Sequence, residues 1–308
     1  MKQLLNRVLR KLREIQFLRA CRAVLNTAPC QVDPEDRVII FSMIGTKVLL
    51  PYLVAAKSFQ SRLGLGRFAI LDDGTLTAAD KAVLAHHLGN PPITPIASVE
   101  TGPCPLGGTW ERLLTILDLR RDNYVIQLDS DIVVLGDVPD VLSAIATGTS
   151  FTLRGEAGAE FLPLAGMSDW ARRQAGSGPL HVQSSIELAM EQVRIAGRDG
   201  LDSVRGCSGF AGFAPSGEGR GLAEAFSQEA ERLLGAARWA EWGSEQVTSN
   251  FIVANEPRRH LLPYDRYLNF WNEPLTDSAA VVHFIGTFRY HRGAYLRAAR
   301  QAIAHLSG

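Results

Sequence analysis

Apolar residues in the first half of the chain fall into short runs that alternate with helix-length stretches. The run Val38-Ile39-Ile40-Phe41 is rich in β-branched and aromatic residues, which is typical of a fully buried strand. The same pattern predicts strands at 68–71 and 124–128, an extended segment at 132–135, and helices at 47–60, 77–88 and 109–120. Strands that alternate with helices are typical of an α/β fold with a largely parallel sheet.

The second half has a less regular pattern. We expect helices at 184–196, 219–236 and 243–254, a closing helix at 289–306, and short strands at 210–213 and 281–284. Neither an internal repeat nor a long linker interrupts this part. The chain from residue 32 to residue 308 is therefore predicted to form a single domain.

Residues 1–31 differ from the rest of the chain in charge. They hold seven basic residues and one acidic residue, which leaves 25 basic and 31 acidic residues in the remainder of a chain whose totals are 32 and 32. Apolar residues recur here at spacings of three and four, which predicts a basic amphipathic helix. They are Leu5, Val8, Leu9, Leu12 and Ile15. Either this helix contacts an anionic membrane surface peripherally, or it packs on the body of the protein or on a partner chain.

Composition narrows the class of protein. The chain has 308 residues, 46% of them hydrophobic, which suffices for a buried core and excludes a disordered protein. No apolar run reaches the ~18–20 residues of a membrane-spanning helix, and the four cysteines are too scattered to form a zinc site. We therefore expect a cytoplasmic protein, with the inner membrane face as a peripheral site. The acidic body lacks the basic surplus that binds phosphate backbones, so no nucleic-acid partner is expected.

Two aspartates, Asp129 and Asp131, follow the predicted strand at 124–128 and flank Ser130. Ligands of open α/β sheets collect beyond the carboxyl ends of the strands. In an extended segment, residues i and i+2 point the same way, so both carboxylates can meet one cation. Hard divalent ions such as Mg²⁺ and Mn²⁺ prefer oxygen ligands. The alternative interpretation is a pair of solvated loop acids.

The stretch from Tyr124 to Asp137 reads YVIQLDSDIVVLGD. It resembles the D-x-D segment of glycosyltransferases with the GT-A fold, and family 8 with its bacterial relatives most of all. Three further patches agree with that family in order. They are FAILDDGTLT at 68–77, a basic residue (Arg112) ahead of the D-x-D segment, and HFIGTFR at 283–289, which fits an H-x-x-G-x-x-[K/R] pattern.

The resemblance implies an α/β protein with a Rossmann-like mixed sheet flanked by helices. Residues of about 36–150 would form the nucleotide-sugar half and 151–308 the acceptor half. The implied activity is metal-dependent transfer of a hexose from a nucleotide diphosphate sugar, expected to be a UDP-sugar, to a glycan or glycolipid. The implied ligands of Mn²⁺ (or Mg²⁺) are Asp129, Asp131 and His283. The expected donor-binding residues are Thr46, Asp72, Asp73, Arg112, Ser130, Gly286 and Arg289. Asp72 and Asp73 are open to a second interpretation as turn residues, because Asp-Gly is a common turn pair.

The acceptor side resembles the family less closely. Ser208 and Gly209 match a family segment in which Cys207 takes the place of the usual asparagine. The resemblance also makes Glu245 and Gln246 candidate catalytic residues beneath the reacting sugar carbon. Glu245 is equally well explained as an acid that the helix dipole favours in a first turn.

Two other functions compete with the transferase. A haloacid-dehalogenase-type phosphatase also has a D-x-D-x-[T/V] motif, in which Asp129 would be the covalent nucleophile. That class needs a later lysine, and no lysine follows Lys81. The other competitor is a catalytically inactive GT-A domain that serves as a binding module, against which the intact aspartates and His283 argue.

Overall fold

The computed structural model describes residues 2–174, 176 and 178–307, with side chains from residue 9 onward. The helices are α1 (Lys2–Cys21), α2 (Leu49–Leu63), α3 (Ala78–Leu88), α4 (Trp110–Leu119), α5 (Pro139–Thr147), α6 (Leu164–Gln174), α7 (Val182–Ala189), α8 (Gly221–Leu234), α9 (Ala236–Trp239), α10 (Ser244–Ala254) and α11 (Ala294–Leu306). The strands are β1 (Val38–Ile44), β2 (Arg67–Asp72), β3 (Ile93–Pro95), β4 (Tyr124–Leu128), β5 (Ile132–Val134), β6 (Ser150–Arg154), β7 (Leu162–Pro163), β8 (Asp202–Ser203), β9 (Gly206–Phe213), β10 (Arg259–Leu261), β11 (Tyr267–Asn269) and β12 (Val281–His283). Across this part of the chain, none of the helices has the length and apolarity that crossing a membrane requires.

The chain forms two compact units. Unit 1 consists of Met1–Pro95, Ile126–Ser143 and Leu262–Gly308, and unit 2 consists of Ile96–Val125 and Ala144–Leu261. In unit 1, β1, β2 and β3 run parallel, and β4 is the neighbour of β1 on the other side. A second sheet in unit 1 has the order β11-β12-β5, in which β12 runs parallel to β11 and antiparallel to β5.

Unit 2 is built on three strands in the order β10-β6-β9. Here β10 is parallel to β6, and β6 is antiparallel to β9. All eight residues of β9 are buried. The antiparallel pairs of both units make the protein a mixed α/β structure, as the family resemblance implied, whereas the periodicity alone predicted a largely parallel sheet.

Predicted elements of the first half lie close to the observed ones, and the closing helix needs a correction. The helix predicted to begin at residue 289 begins at Ala294 instead. Arg292 (φ 51°) and Gly293 (φ 64°) adopt left-handed backbone conformations, which an α-helix does not accept. The helix predicted at 184–196 ends early, because α7 stops at Ala189 and a 3-10 turn follows. The sequence pattern does not predict helices α5, α6 and α9 or the strands β3, β6, β7, β8, β10 and β11.

Candidate active site

Asp129 and Asp131 lie in the short loop between β4 and β5. Both strands are fully buried, and the polar residues between them lie where the chain passes from the sheet of β4 to the sheet of β5. The loop closes on itself, since the Ile132 N–H donates to the Asp129 carbonyl at 3.3 Å. Asp129 is half-buried and Asp131 is buried. The two acids therefore differ in how much water surrounds them.

His283 joins these aspartates through the pairing of β12 with β5. The antiparallel register sets His283 opposite Ile132, and the Phe284 N–H donates to the Asp131 carbonyl at 2.9 Å. Nε2 of His283 is 3.2 Å from Oδ1 of Asp131. One ligand atom from each of the two aspartates and the histidine lies within 4.8 Å of the others. The two carboxylate oxygens suit a hard divalent ion such as Mn²⁺ or Mg²⁺, and the imidazole adds a nitrogen ligand of the kind that transition metals bind.

A cationic side chain adjoins this cluster. The Arg289 guanidinium donates to Oδ2 of Asp131 and, through Nε, to the Phe284 carbonyl at 3.0 Å. Burial by itself would raise the pKa of the Asp131 carboxyl, but His283 and Arg289 favour the charged form, so the pKa lies below its usual range. Asp131 is therefore a carboxylate at neutral pH and can act as a cation ligand.

Asn269 orients the histidine. The parallel register of β11 and β12 sets Asn269 beside His283, and Oδ1 of Asn269 is 2.9 Å from Nδ1 of His283. A carbonyl oxygen only accepts, so Nδ1 carries the proton of this bond and Nε2 faces the aspartates. Ligating histidines commonly have such a partner on the second ring nitrogen. Nothing in the sequence near Asn269 marks it, because only the strand pairing brings it to His283.

The donor-binding candidates near β2 belong to a hydrogen-bonded loop in unit 1. Asp72 accepts from the N–H groups of Gly74 and Leu76 and pairs with Lys81 at 2.9 Å. Asp73 accepts from the amide and the hydroxyl of Thr75. These are the bonds of turn residues and support the turn interpretation. A donor-binding role for Asp72 and Asp73 stays a prediction.

Three other predicted residues lie elsewhere in unit 1. Thr46 is exposed and donates its hydroxyl to Asp80 at 2.6 Å. Ser130 lies between the two aspartates, and its carbonyl accepts a hydrogen bond from the Tyr295 hydroxyl at 3.3 Å. Gly286 is exposed in the turn after His283, and a side chain there would meet no other atom within 4 Å. Packing within the protein therefore does not require glycine at 286.

Arg112, Ser208 and Glu245 come together in unit 2. Arg112, on α4, donates to Oε2 of Glu245, in the first turn of α10, at 2.9 Å. The same guanidinium nitrogen lies 3.4 Å from Oγ of Ser208 on β9, next to Gly209. The ion pair is almost completely buried, which distinguishes Glu245 from an ordinary exposed acid at a helix start.

The starts of α4 and α10 lie side by side. The Thr109 hydroxyl donates to Glu245 at 2.9 Å, and the Trp110 indole donates to the Ser244 hydroxyl at 2.9 Å. Gln246, the second catalytic candidate, donates instead to the Gln183 side chain at 3.3 Å. Glu245 therefore contacts Arg112, whereas Gln246 contacts α7.

No profile of a known protein family matches the chain, and no curated protein has a matching sequence. The apo structure of the bifunctional glycosyltransferase WbbM matches with a TM-score of 0.54 and 14% identity over 90% of this chain and 51% of WbbM. The galactosyltransferase LgtC, in complex with donor and acceptor sugar analogues, matches with a TM-score of 0.51 and 16% identity over 88% of this chain and 95% of LgtC. The glycosyltransferase GlyE of Streptococcus pneumoniae TIGR4 matches with a TM-score of 0.51 and 12% identity, over 88% of this chain and 62% of GlyE.

The fold is the GT-A fold. This confirms the GT-A fold that the D-x-D segment and its three companion patches implied. The chain spans about half the length of WbbM, so the likeness concerns only part of that protein. The cluster therefore combines Asp129 and Asp131 of the D-x-D segment with His283 of the H-x-x-G-x-x-[K/R] pattern, which are the three residues predicted as ligands.

Proposed function

We propose that the protein is a metal-dependent glycosyltransferase that moves a hexose from a UDP-sugar to a glycan or glycolipid. The observation that carries this proposal is the cluster of Asp129, Asp131 and His283, whose ligand atoms lie within 4.8 Å of one another. The GT-A fold supports it, since the matching structures are of glycosyltransferases. The same fold speaks against the phosphatase alternative, in which Asp129 would be a nucleophile.

The cluster would hold Mn²⁺ or Mg²⁺ through Asp129, Asp131 and His283. When bound, the ion supplies Lewis-acid stabilisation of the charge on a leaving nucleoside diphosphate. The Arg289 guanidinium donates to Asp131 and so holds this carboxylate in place. It also provides a positive charge beside the cluster, in addition to that of the ion. A guanidinium suits a diphosphate because its fork matches two phosphate oxygens.

We assign the remaining candidates by the same proposal. Arg112 would contact the donor, Ser208 and Gly209 the acceptor, and Glu245 and Gln246 the region of the reacting carbon. The buried ion pair gives Glu245 a fixed position, and fixed groups are what the stabilisation of a transition state requires. The roles of Thr46, Asp72, Asp73, Ser130 and Gly286 toward the donor are part of this proposal.

The test measures product release with a panel of nucleotide-hexoses, UDP-sugars among them. In Mn²⁺ we expect slow release of the nucleoside diphosphate without acceptor and faster release with a suitable sugar acceptor. Chelation of divalent ions by EDTA should abolish both reactions, and added Mn²⁺ should restore them. The same samples are assayed for inorganic phosphate from simple phosphoesters. Phosphate release with a phosphoaspartate at Asp129 would overturn the proposal in favour of a phosphatase, and donor binding without turnover would favour an inactive module.

We further propose that α1 contacts the anionic inner face of a membrane. Its packed side chains, Phe17 and Cys21, are buried, whereas Leu9, Leu12 and Ile15 are 40%, 50% and 37% exposed. The exposed apolar side chains lie on another face of the helix. Three exposed basic residues lie on or beside that face, namely Lys11, Arg13 and Arg19. Each basic residue near an anionic surface contributes about 1 kcal/mol, and salt weakens the attraction.

Replacing Leu9, Leu12 and Ile15 together by serine is expected to lower binding to phosphatidylserine-containing vesicles at least about tenfold. The melting temperature should not change, because these side chains are already exposed. Flotation at two salt concentrations measures the binding, and vesicles of zwitterionic lipid are the control. If the wild-type protein does not float with anionic vesicles, the membrane proposal is wrong. A dimer that the same substitutions dissociate would assign the face to a second copy of the chain.

A further inference from the structure

The packed face of α1 is built around one aromatic side chain. Phe17 is 1% exposed, and its ring stacks on Tyr295 with centroids 3.9 Å apart and an interplanar angle of 29°. Tyr295 lies in the first turn of α11, against which α1 packs. The N-terminal helix is thereby fixed to the C-terminal helix within unit 1.

Tyr295 continues the stack on its other side. Its ring is 4.5 Å from that of Phe284 with an interplanar angle of 20°. Phe284 directly follows His283, and its backbone N–H donates to the Asp131 carbonyl at 2.9 Å. The stack of Phe17, Tyr295 and Phe284 therefore ends at the segment that carries the histidine of the cluster.

Tyr295 also reaches the aspartates themselves. Its hydroxyl donates to the carbonyl of Ser130 at 3.3 Å. Ser130 lies between Asp129 and Asp131, so this long hydrogen bond contacts the peptide unit that joins Ser130 to Asp131. One tyrosine thus contacts both chain segments whose side chains form the cluster, through its hydroxyl on one segment and through its ring on the other.

Stacked aromatic pairs contribute about 0.5–1.5 kcal/mol beyond the area that they bury. A ring that contacts another ring on each face has little freedom to rotate. Because protein interiors are close-packed, a small displacement of one ring is passed on to its neighbours. Loss of Phe17 would leave space on one face of Tyr295, and the hydroxyl could then move away from Ser130. Sites that bind ions need their ligands held to within about 0.5 Å, and the packing around the ligands provides this.

We propose that Phe17 and Tyr295 are positioning residues of the cation site, and that α1 supports the site by contributing Phe17. This inference rests on the proposed function, because it takes the cluster to be the seat of a divalent ion. It goes further in assigning a role to the packed face of the N-terminal helix. Neither residue is adjacent in sequence to a cation ligand.

The test compares two variants that perturb the stack differently. Tyr295→Phe keeps the ring and removes the bond to Ser130, and Phe17→Leu keeps an apolar side chain and removes the stacking. The measured quantity is Mn²⁺ affinity without donor, from the electron paramagnetic resonance signal of free Mn²⁺. We expect both variants to bind Mn²⁺ more weakly, by up to about the 10-fold loss that follows when a direct hydrogen-bond partner of a metal ligand is changed.

Phe226→Leu is the matched control. Phe226 stacks on Phe251 in unit 2 with centroids 4.1 Å apart and is also fully buried. Its replacement should lower the melting temperature about as much as Phe17→Leu does, without a change in Mn²⁺ affinity. If Phe17→Leu and Tyr295→Phe bind Mn²⁺ like wild type, the positioning role is wrong and the proposed function stands. If the wild-type protein binds no Mn²⁺, both proposals fail.

Discussion

Replacing Asp129 by asparagine is expected to lower metal-dependent donor turnover at least about 100-fold while leaving the melting temperature nearly unchanged. Changes to the partners of metal ligands alone cost 10–100-fold, so loss of a charged ligand should lie at the upper end of that range or beyond it. Asp129 is half-buried in a loop and does not contribute to the apolar core. The measurements are nucleoside diphosphate release at saturating Mn²⁺ and thermal denaturation.

Asp131→Asn and Asp122→Asn provide the comparison. Asp131 is buried against His283 and Arg289, so its neutralisation should lower both turnover and the melting temperature. Asp122 is an exposed surface acid, and its replacement should change neither. Undiminished Mn²⁺-dependent turnover in Asp129→Asn would show that Asp129 is not a cation ligand.

Glu245→Ala is expected to destabilise the protein by about 3–5 kcal/mol. Its partner Arg112 would remain buried without the carboxylate, and removal of one member of a buried ion pair costs about this much. At about 2–4 °C for each kcal/mol, the unfolding midpoint should fall by roughly 10 °C. Differential scanning calorimetry and urea denaturation both report the change.

The double variant Arg112→Met/Glu245→Leu should recover much of this stability, because apolar residues of similar volume often replace a buried ion pair without loss. Asp169→Ala, which breaks the exposed pair of Asp169 and Arg172, should have no measurable effect. If Glu245→Ala unfolds at the wild-type midpoint, the ion pair is not important for stability. Donor turnover should be lost in the double variant even though its fold is restored, because the proposed contacts with the donor need both charges.

The sequence predicts those strands in which the buried residues are also apolar. The buried strands β1, β2 and β4 are short, mostly apolar runs that contain β-branched and aromatic residues, so their pattern indicates strands. Strand β6 was missed because Ser150 and Thr152 are polar yet fully buried. Thr152 hydrogen-bonds to Asn250 at 2.9 Å, which compensates for its burial.

The same limit applies to the candidate site. The D-x-D pair is a local pattern, whereas Asn269 and Tyr295 take part only through strand pairing and helix packing. Helix α1 was predicted from five periodic apolar residues, of which Leu5 and Val8 lie outside the described side chains, and the other three do not anchor it. Leu9, Leu12 and Ile15 are exposed, and the helix is held by Phe17 and Cys21 farther along. The periodicity predicts that a helix has an apolar face, but it does not reveal which face the protein buries.

Unit 1 consists of three separate chain segments, and this affects the order in which it can fold during synthesis. Asp131 leaves the ribosome long before Arg289, from which it is separated by 158 residues. Until the third segment emerges, β5 has no β12 to pair with, and an unpaired apolar strand is prone to aggregate. Nascent chains should therefore depend on chaperones during the synthesis of unit 2. In the proposed function the cation site is complete only once His283 has been synthesised, so an unfinished chain would not consume donor.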